Sequence, residues 1–193
     1  MSILLFSLVG GIAAGLVAGG RPRYASLRPI RWVLVLLAGV ALQVVVVVTD
    51  VDETVGLGLV LASYALLILF ALVNIRLVGM PIVLVGLLLN GAVITANQGM
   101  PVRADAIATV DDSRTPAEIL ALDFDAKRHV ETPDDRLTIL GDVVPIEPLR
   151  QVVSFGDLIL AFGLLDLVFR LLRPLALPRR RERVPASQAL VLG

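Results

Sequence analysis

Long apolar stretches without charged residues dominate the hydropathy pattern of the chain. A helix needs about 20 mostly apolar residues to cross a hydrocarbon layer about 30 Å thick. Five stretches approach or reach that length, and only the fifth contains acidic residues. The pattern therefore predicts an all-α integral membrane protein with five transmembrane helices, over residues 2–20, 32–48, 55–73, 77–96 and 154–173.

A long polar segment separates the fourth and fifth predicted helices. Residues 97–153 contain 11 acidic and six basic residues, and a bare connection of that length is uncommon. Within it, Thr115 can cap a short helix that begins at Pro116, with Glu118 at the third helical position. The apolar run 139–146 is too short to cross a membrane, so we expect it to lie on the outer end of the helix bundle. The segment is predicted to be a partly ordered cap.

The distribution of charge predicts the orientation of the helices. The 17 basic and 17 acidic residues cancel, but 11 of the basic ones lie between the first two helices, between the third and fourth, or at and beyond the end of the fifth. Positively charged loops stay in the cytoplasm. The amino terminus and residues 97–153 are therefore expected outside, and the carboxyl terminus inside. Residues 174–193 are predicted to form a basic cytoplasmic tail that is disordered.

Composition excludes several kinds of functional site. The chain has no cysteine, which excludes disulfides, thiolate nucleophiles and cysteine-ligated metals. It also lacks the glycine-rich phosphate loop, the nucleophile elbow and the dinucleotide-binding motif. We therefore assign no catalytic residue, no cofactor and no metal. The strong basic run at 179–183 is expected to attract anionic lipid headgroups rather than nucleic acid, and the lipid bilayer is the predicted partner.

Glycines in the first apolar stretch predict how that helix packs. Gly11, Gly15 and Gly19 recur at every fourth position and share one helix face. Such a face lets two helix backbones approach closely. We expect it to pack against another helix of the same chain, and homo-oligomerisation or a membrane-protein partner through the same face is the alternative.

Three polar residues within the predicted helices are candidates for an intramembrane function. They are Gln43 in the second helix, Asn90 in the fourth and Asp166 in the fifth, and a further acid, Asp157, lies at the start of the fifth. An ionisable residue in a membrane is costly and by default suggests a functional role. We favour a structural role for both acids, because Asp166 can pair with Arg170 four residues later and a carboxylate at Asp157 suits the first turn of a helix.

A second group of candidates lies where the predicted helices meet the outer surface. These residues are expected to fasten the cap to the bundle or to line a site there, and they are Asn97, Met100, Pro101, His129, Asp142, Ser154 and Asp157. Ser154 can cap the fifth helix while Asp157 reaches back to it. His129 and Asp142 have the chemistry of an acid and base pair, but their spacing gives no support for a metal site.

The region from residue 97 to residue 157 carries four distinctive short motifs. They are Asn97-x-Gly99-Met100-Pro101-Val102, Lys127-Arg128-His129, Leu140-Gly141-Asp142-Val143-Val144-Pro145 and Ser154-Phe155-Gly156-Asp157. Together with the four preceding hydrophobic stretches, they resemble domain-of-unknown-function family 5317, an uncharacterised family of bacterial membrane proteins. The resemblance implies a small multi-pass protein of the bacterial cytoplasmic membrane and brings no known activity with it.

Three functions are open on the sequence alone. The first is a non-enzymatic accessory, sensory or lipid-interacting membrane component. The second is a small ion-coupled transporter that uses Asp157, Asp166 and Asn90. The third is a membrane enzyme that acts on a lipid-linked substrate with Asp142 and His129. We favour the first, because each candidate residue also has a simple structural explanation.

Overall fold

The computed structural model describes residues 2–49, 51–122 and 127–174. The predicted basic tail, apart from its first residue, lies outside the described residues. The helices are α1 (Ser2–Val17), α2 (Pro22–Ala25), α3 (Val33–Val48), α4 (Glu53–Val73), α5 (Met80–Asn97), α6 (Ala104–Val110), α7 (Pro116–Leu120) and α8 (Phe155–Leu171). The strands are β1 (Met100–Val102), β2 (Arg128–Val130), β3 (Asp142–Ile146) and β4 (Gln151–Ser154).

Long helices occupy the five apolar stretches. Two of them, α4 with 21 residues and α5 with 18, are long and apolar enough to cross a membrane. The helices α1 and α3 are also apolar but have only 16 residues each, and α8 has 17 residues and includes the two predicted intramembrane acids. The chain is therefore mostly helical, with two candidate membrane-spanning helices and two shorter apolar ones.

The long helices pack side by side in the order α3, α4, α5, α8, α1. The first pair is joined where the Ser63 hydroxyl of α4 donates a hydrogen bond to the Gly39 carbonyl of α3 (2.8 Å). Short connections make α3 antiparallel to α4, and α4 antiparallel to α5. At the other end of the row, α1 and α8 run parallel. Gly11 of α1 lies against Leu165 of α8, and Gly15, one turn later, lies against Leu172 just after α8.

Glycines bring the backbones of α5 and α8 into direct contact. A Cβ atom added at Gly86 of α5 would lie 2.7 Å from the carbonyl oxygen of Gly156 in α8. One added at Gly163 would lie 2.7 Å from the amide nitrogen of Val83. Contacts this close are available only to residues without a side chain. The pair α5 and α8 therefore forms the tightly packed centre of the row.

The prediction of an all-α protein is wrong for the cap, which contains a four-stranded sheet in the order β2-β1-β3-β4. The two pairings of β1 are parallel, and the pairing of β3 with β4 is antiparallel. The strands have only three to five residues, too few for an alternating pattern to stand out. Because β1 follows α5 closely and β4 runs directly into α8, the sheet lies on the ends of these two helices.

The prediction that Gly19 packs in the face of Gly11 and Gly15 is wrong. Gly19 follows the end of α1 with φ of +80°, and apart from Gly19 and its two chain neighbours no atom of the described residues lies within 4 Å of the position its Cβ would take. It therefore ends the helix, a common role of glycine in the left-handed region. Gly11 and Gly15 lie against α8, where added Cβ atoms would come within 2.8 Å of Leu165 and Leu172, respectively.

The cap has a small apolar core of its own. The predicted helix after Thr115 is confirmed as α7, and both hydrogen bonds of the capping box between Thr115 and Glu118 are present. The helix runs from Pro116 to Leu120. Its Ile119 packs with residues of β1, α6 and β4. The two short helices thus cover the sheet and complete the cap.

Candidate functional site

Three polar side chains join α8 to α5 beneath the sheet. The Asn90 amide nitrogen donates a hydrogen bond to Asp157 Oδ1 (2.7 Å), and the Ser154 hydroxyl donates one to Asn90 Oδ1 (2.9 Å). The Ser154 oxygen also accepts a hydrogen bond from the Asp157 backbone amide (2.9 Å). We call Asn90, Ser154 and Asp157 the outer anchor. It is a closed ring of hydrogen bonds, as burial of polar groups requires.

The sequence around Ser154 explains why the outer anchor forms. Ser154 caps the amino terminus of α8, and Asp157 places a carboxylate in its positively polarised first turn. Gly156 lies between them and lets α5 approach, since a Cβ there would collide with the Asn90 amide oxygen. The buried Tyr64 side chain of α4 also interacts with Asn90. The motif Ser-Phe-Gly-Asp therefore joins the start of α8 to α5.

A buried ion pair lies next to the outer anchor in the sheet. Asp142 of β3 is only 1% exposed, and it faces Ser154 in the register of β3 and β4. Arg128 reaches it across β1, with Nη2 3.0 Å from Oδ2. The geometry is that of an ion pair rather than a hydrogen bond, since neither carboxylate oxygen is hydrogen-bonded to the described residues. Burial raises the pKa of Asp142 to about 6, against the opposing effect of Arg128.

Asn97 ties the end of α5 to a loop of the cap. Its side-chain nitrogen donates a hydrogen bond to the Arg136 carbonyl (2.8 Å), and its oxygen accepts one from the Arg136 amide (2.7 Å). The next predicted residues, Met100 and Pro101, are buried in β1, and Met100 belongs to the core of the helix bundle. These three residues all lie where the cap rests on α5.

His129 is held by a neighbouring aspartate rather than by Asp142. Its Nε2 atom lies 3.0 Å from Asp135 Oδ1, and Asp135 also accepts a hydrogen bond from the Thr132 amide (2.7 Å). Burial alone would raise the pKa of Asp135, but the hydrogen bonds from Thr132 and His129 outweigh it and lower the pKa. Because His129 and Arg128 are successive in a strand, they face opposite sides of the sheet. The structure does not bring His129 and Asp142 together.

The remaining polar residues of the helices are separated from one another. Asp166 pairs with Arg170 on α8, at 2.8 Å, and lies about 13 Å along the helix from Asp157. Gln43 is half-buried in the middle of α3. Asn90 is fully engaged in the outer anchor. In the part of the chain that the structure describes, no three His, Asp or Glu side chains converge to hold a metal ion.

Sequence reasoning missed two members of this site, Arg128 and Tyr64. Arg128 lies in the motif Lys127-Arg128-His129, but its side chain meets Asp142 only through the parallel pairing of three-residue strands. Tyr64 lies in a continuous apolar stretch where nothing in the sequence distinguishes it from its exposed apolar neighbours. The one available signal was its hydroxyl, since a buried tyrosine needs a hydrogen-bonding partner.

Fold and site together define a mostly helical protein with two candidate membrane helices and a small mixed sheet fixed on the ends of α5 and α8. The chain matches the Family of unknown function (DUF5317) over residues 28–169 and belongs to that family, which confirms the resemblance seen in the sequence. The matched region includes the outer anchor and the whole cap. No curated protein and no solved structure matches the chain.

Proposed function

We propose that the chain is a non-enzymatic, five-span protein of the bacterial cytoplasmic membrane, an accessory, sensory or lipid-interacting component that carries a fixed extracytoplasmic cap. The outer anchor is the observation on which this proposal rests. It uses Asn90, Ser154 and Asp157 to hold helices together and satisfies their hydrogen bonds within the protein. Side chains engaged in this way stabilise the join between cap and bundle, and their hydrogen bonds to one another give each of them a structural role.

Helix direction and surface composition support five crossings. With the amino terminus outside, α1 and α8 must both run inward, and these two helices are parallel in the row. Only 33% of the most apolar 18 residues of α4, and the same share of α5, is buried inside the protein. Apolar side chains such as Leu34 (80% exposed) and Phe162 (61% exposed) face outward. An exposed apolar surface of this kind is typical of a membrane or protein interaction site and supports a place in lipid.

The short helices are compatible with a bilayer. With 16 residues, α1 and α3 are each about 24 Å long, less than the typical thickness of the hydrocarbon layer. Local thinning of the bilayer and snorkelling of flanking arginines accommodate such a mismatch at a modest cost. The arginines next to these helices, Arg21 and Arg31, are in position to do so.

The two other functions receive less support. A carrier that uses Asp157, Asp166 and Asn90 needs a polar path between them, but Asp166 is paired with Arg170 about 13 Å along α8 from Asp157. A cavity of about 290 Å³ among the long helices is lined by apolar residues and includes none of the three. An enzyme that uses His129 and Asp142 needs them side by side, and they face opposite sides of the sheet. We therefore propose neither.

Replacing Asn90 by alanine tests the proposal. The change leaves the Ser154 hydroxyl and the Asp157 carboxylate without their partner in a buried place, at a cost of about 2 to 4 kcal/mol in unfolding free energy. Thr95→Ala is the matched control, because Thr95 is an exposed residue of the same helix whose hydroxyl bonds only to the Gly91 carbonyl. Thermal unfolding in detergent, together with proteolysis of the cap, measures both variants.

The expected result is a clear loss of stability for Asn90→Ala and earlier cleavage of the cap, with little change for Thr95→Ala. The proposal fails if Asn90→Ala melts like the wild type but loses the cellular phenotype of the gene. That result would place Asn90 in a ligand-handling role instead of a structural one.

A further inference from the structure

Two cavities lie at the end of the helix bundle opposite the cap. The first, of about 370 Å³, is lined by Arg28, Arg170 and Arg173. The second, of about 710 Å³, is lined by Arg28, Arg31 and Arg76. Both are within the size range of small-molecule sites. They share Arg28 and Val78, so they adjoin each other.

Arg28 is held in place between the two cavities by α8. Its Nη1 atom donates a hydrogen bond to the Arg170 carbonyl near the end of that helix (2.7 Å). Its Nε atom is buried and has no hydrogen-bond partner among the described residues. A buried donor without an acceptor is costly, and it indicates that Arg28 is arranged to meet an acceptor from outside the described residues.

The other arginines leave the positive charge largely uncompensated. No acidic side chain of the described residues lines either cavity. Arg170 is paired with Asp166, whereas Arg31, Arg76 and Arg173 have no carboxylate of the described residues within 4.0 Å. The two cavities therefore form one strongly basic site.

Asn74 fixes the loops that frame the second cavity. Its side chain accepts a hydrogen bond from the Arg31 amide (2.8 Å) and donates one to the Arg31 carbonyl (2.9 Å). Because Asn74 is buried at the end of α4, this join holds the loop before α3 against the loop before α5. The positive-inside rule explains why arginines occur at this end of the bundle, but it requires neither fixed loops nor adjoining cavities.

The lining chemistry suits an amphiphile with phosphate groups. Arginine is well matched to phosphate because its planar guanidinium can donate two parallel hydrogen bonds. Apolar side chains, among them Val78 and Phe169, line the first cavity beside the arginines. Basic pockets on the cytoplasmic side of membrane helices bind anionic lipid headgroups.

We propose that these cavities bind one anionic phospholipid of the inner leaflet whose headgroup carries two phosphates, one in each cavity, with Arg28 between them. The inference rests on the proposed function, because the five-span orientation places this end of the bundle at the inner leaflet. It gives the lipid-interacting role a ligand class and a site. The acyl chains lie in the bilayer beside α5 and α8.

Lipid binding to the purified full-length chain tests the inference. Native mass spectrometry from detergent micelles counts the retained lipids when equal phosphate concentrations of cardiolipin, with two phosphates, or phosphatidylglycerol, with one, are added. We expect one retained cardiolipin, bound about tenfold more tightly than phosphatidylglycerol, and about a tenfold loss of cardiolipin affinity in Arg28→Gln.

Arg23→Gln is the matched control for charge. Arg23 lies in α2, within the same connection between α1 and α3 as Arg28. Its replacement removes the same charge, but its guanidinium stacks on the Tyr24 ring (5.2 Å) and lines neither cavity. We expect its cardiolipin affinity to change by less than about twofold. Equal losses in the two variants would overturn the inference in favour of general surface charge.

Two further outcomes would also overturn it. Equal retention of cardiolipin and phosphatidylglycerol would remove the site for two phosphates, and displacement of the lipid by millimolar inorganic phosphate would identify a soluble anion as the ligand. These results are distinguishable from failure of the proposed function. A protein that does not span the membrane would stay soluble without detergent and would not insert into lipid vesicles, whatever Arg28 contributes.

Discussion

A change of pH from 5 to 7.5 is expected to destabilise the protein through Asp142. The pKa of this carboxyl is about 6 in the folded protein, above its ordinary value of 3.8, so the folded state binds the proton more tightly than the unfolded chain does. The stabilisation that this proton gives is fully present below pH 3.8 and is lost as the pH rises through 6. The cause is burial, which Arg128 only partly offsets and which the nearby Asp157 carboxylate reinforces.

The size of the effect follows from the two pKa values. At pH 5 the carboxyl is mostly protonated in the folded state and mostly ionised in the unfolded chain, a difference that stabilises the fold by about 1.4 kcal/mol. At pH 7.5 both states are ionised and almost none of this remains. For a chain of this length, the loss corresponds to a fall in Tm of about 3 to 6 °C.

Thermal unfolding in a non-ionic detergent at pH 5, 6 and 7.5 measures this change, with Asp142→Asn as the comparison. The variant keeps the size and polarity of the side chain but has no proton to lose. Every other titrating group is the same in both proteins, so the difference between their pH profiles reports Asp142 alone. If Asp142→Asn loses as much stability between pH 5 and 7.5 as the wild type, the account of Asp142 as a group with a raised pKa is wrong.

Two further predictions concern the packing of α5 and the attachment of the cap. Gly86→Ala should separate α5 from α8 and lower the Tm by several degrees, because its Cβ would lie 2.7 Å from backbone atoms of α8. Gly58→Ala, on an open helix face, is the control and should leave the Tm unchanged or slightly higher. Equal effects of the two substitutions would contradict this prediction. Asn97→Ala should speed amide hydrogen exchange in residues 131–137 by about tenfold, at a cost of about 1.4 kcal/mol, and unchanged exchange there would show that Asn97 does not hold the loop.

Local sequence signals predicted much of the helical structure. Apolar stretches marked the long helices, because a continuous run of about 20 apolar residues is itself the sequence signal of such a helix. The capping box of α7 could be recognised because both partners, Thr115 and Glu118, lie within one turn. The pattern of Gly11 and Gly15 indicated a face for close packing, and α8 occupies it.

The sheet and the side-chain partnerships across it depend on contacts between distant parts of the chain. Arg128 meets Asp142 only after β1 and β2 have paired, and three-residue strands leave almost no periodic signal. Asn90 and Ser154 are 64 residues apart in sequence. Gly19 continues the four-residue spacing of Gly11 and Gly15. It nevertheless adopts the left-handed conformation that glycine tolerates, and α1 ends before it, at Val17.

The most direct test of the central claim, five membrane crossings with the cap outside, is labelling of single cysteines in intact cells. The chain has no native cysteine, so Glu53→Cys, Glu118→Cys, Ser26→Cys and Arg76→Cys each introduce one exposed thiol. A membrane-impermeant maleimide should label the variants at positions 53 and 118 in intact cells and those at 26 and 76 only after lysis. Labelling of all four in intact cells, or protection of position 118, would contradict the five-span arrangement.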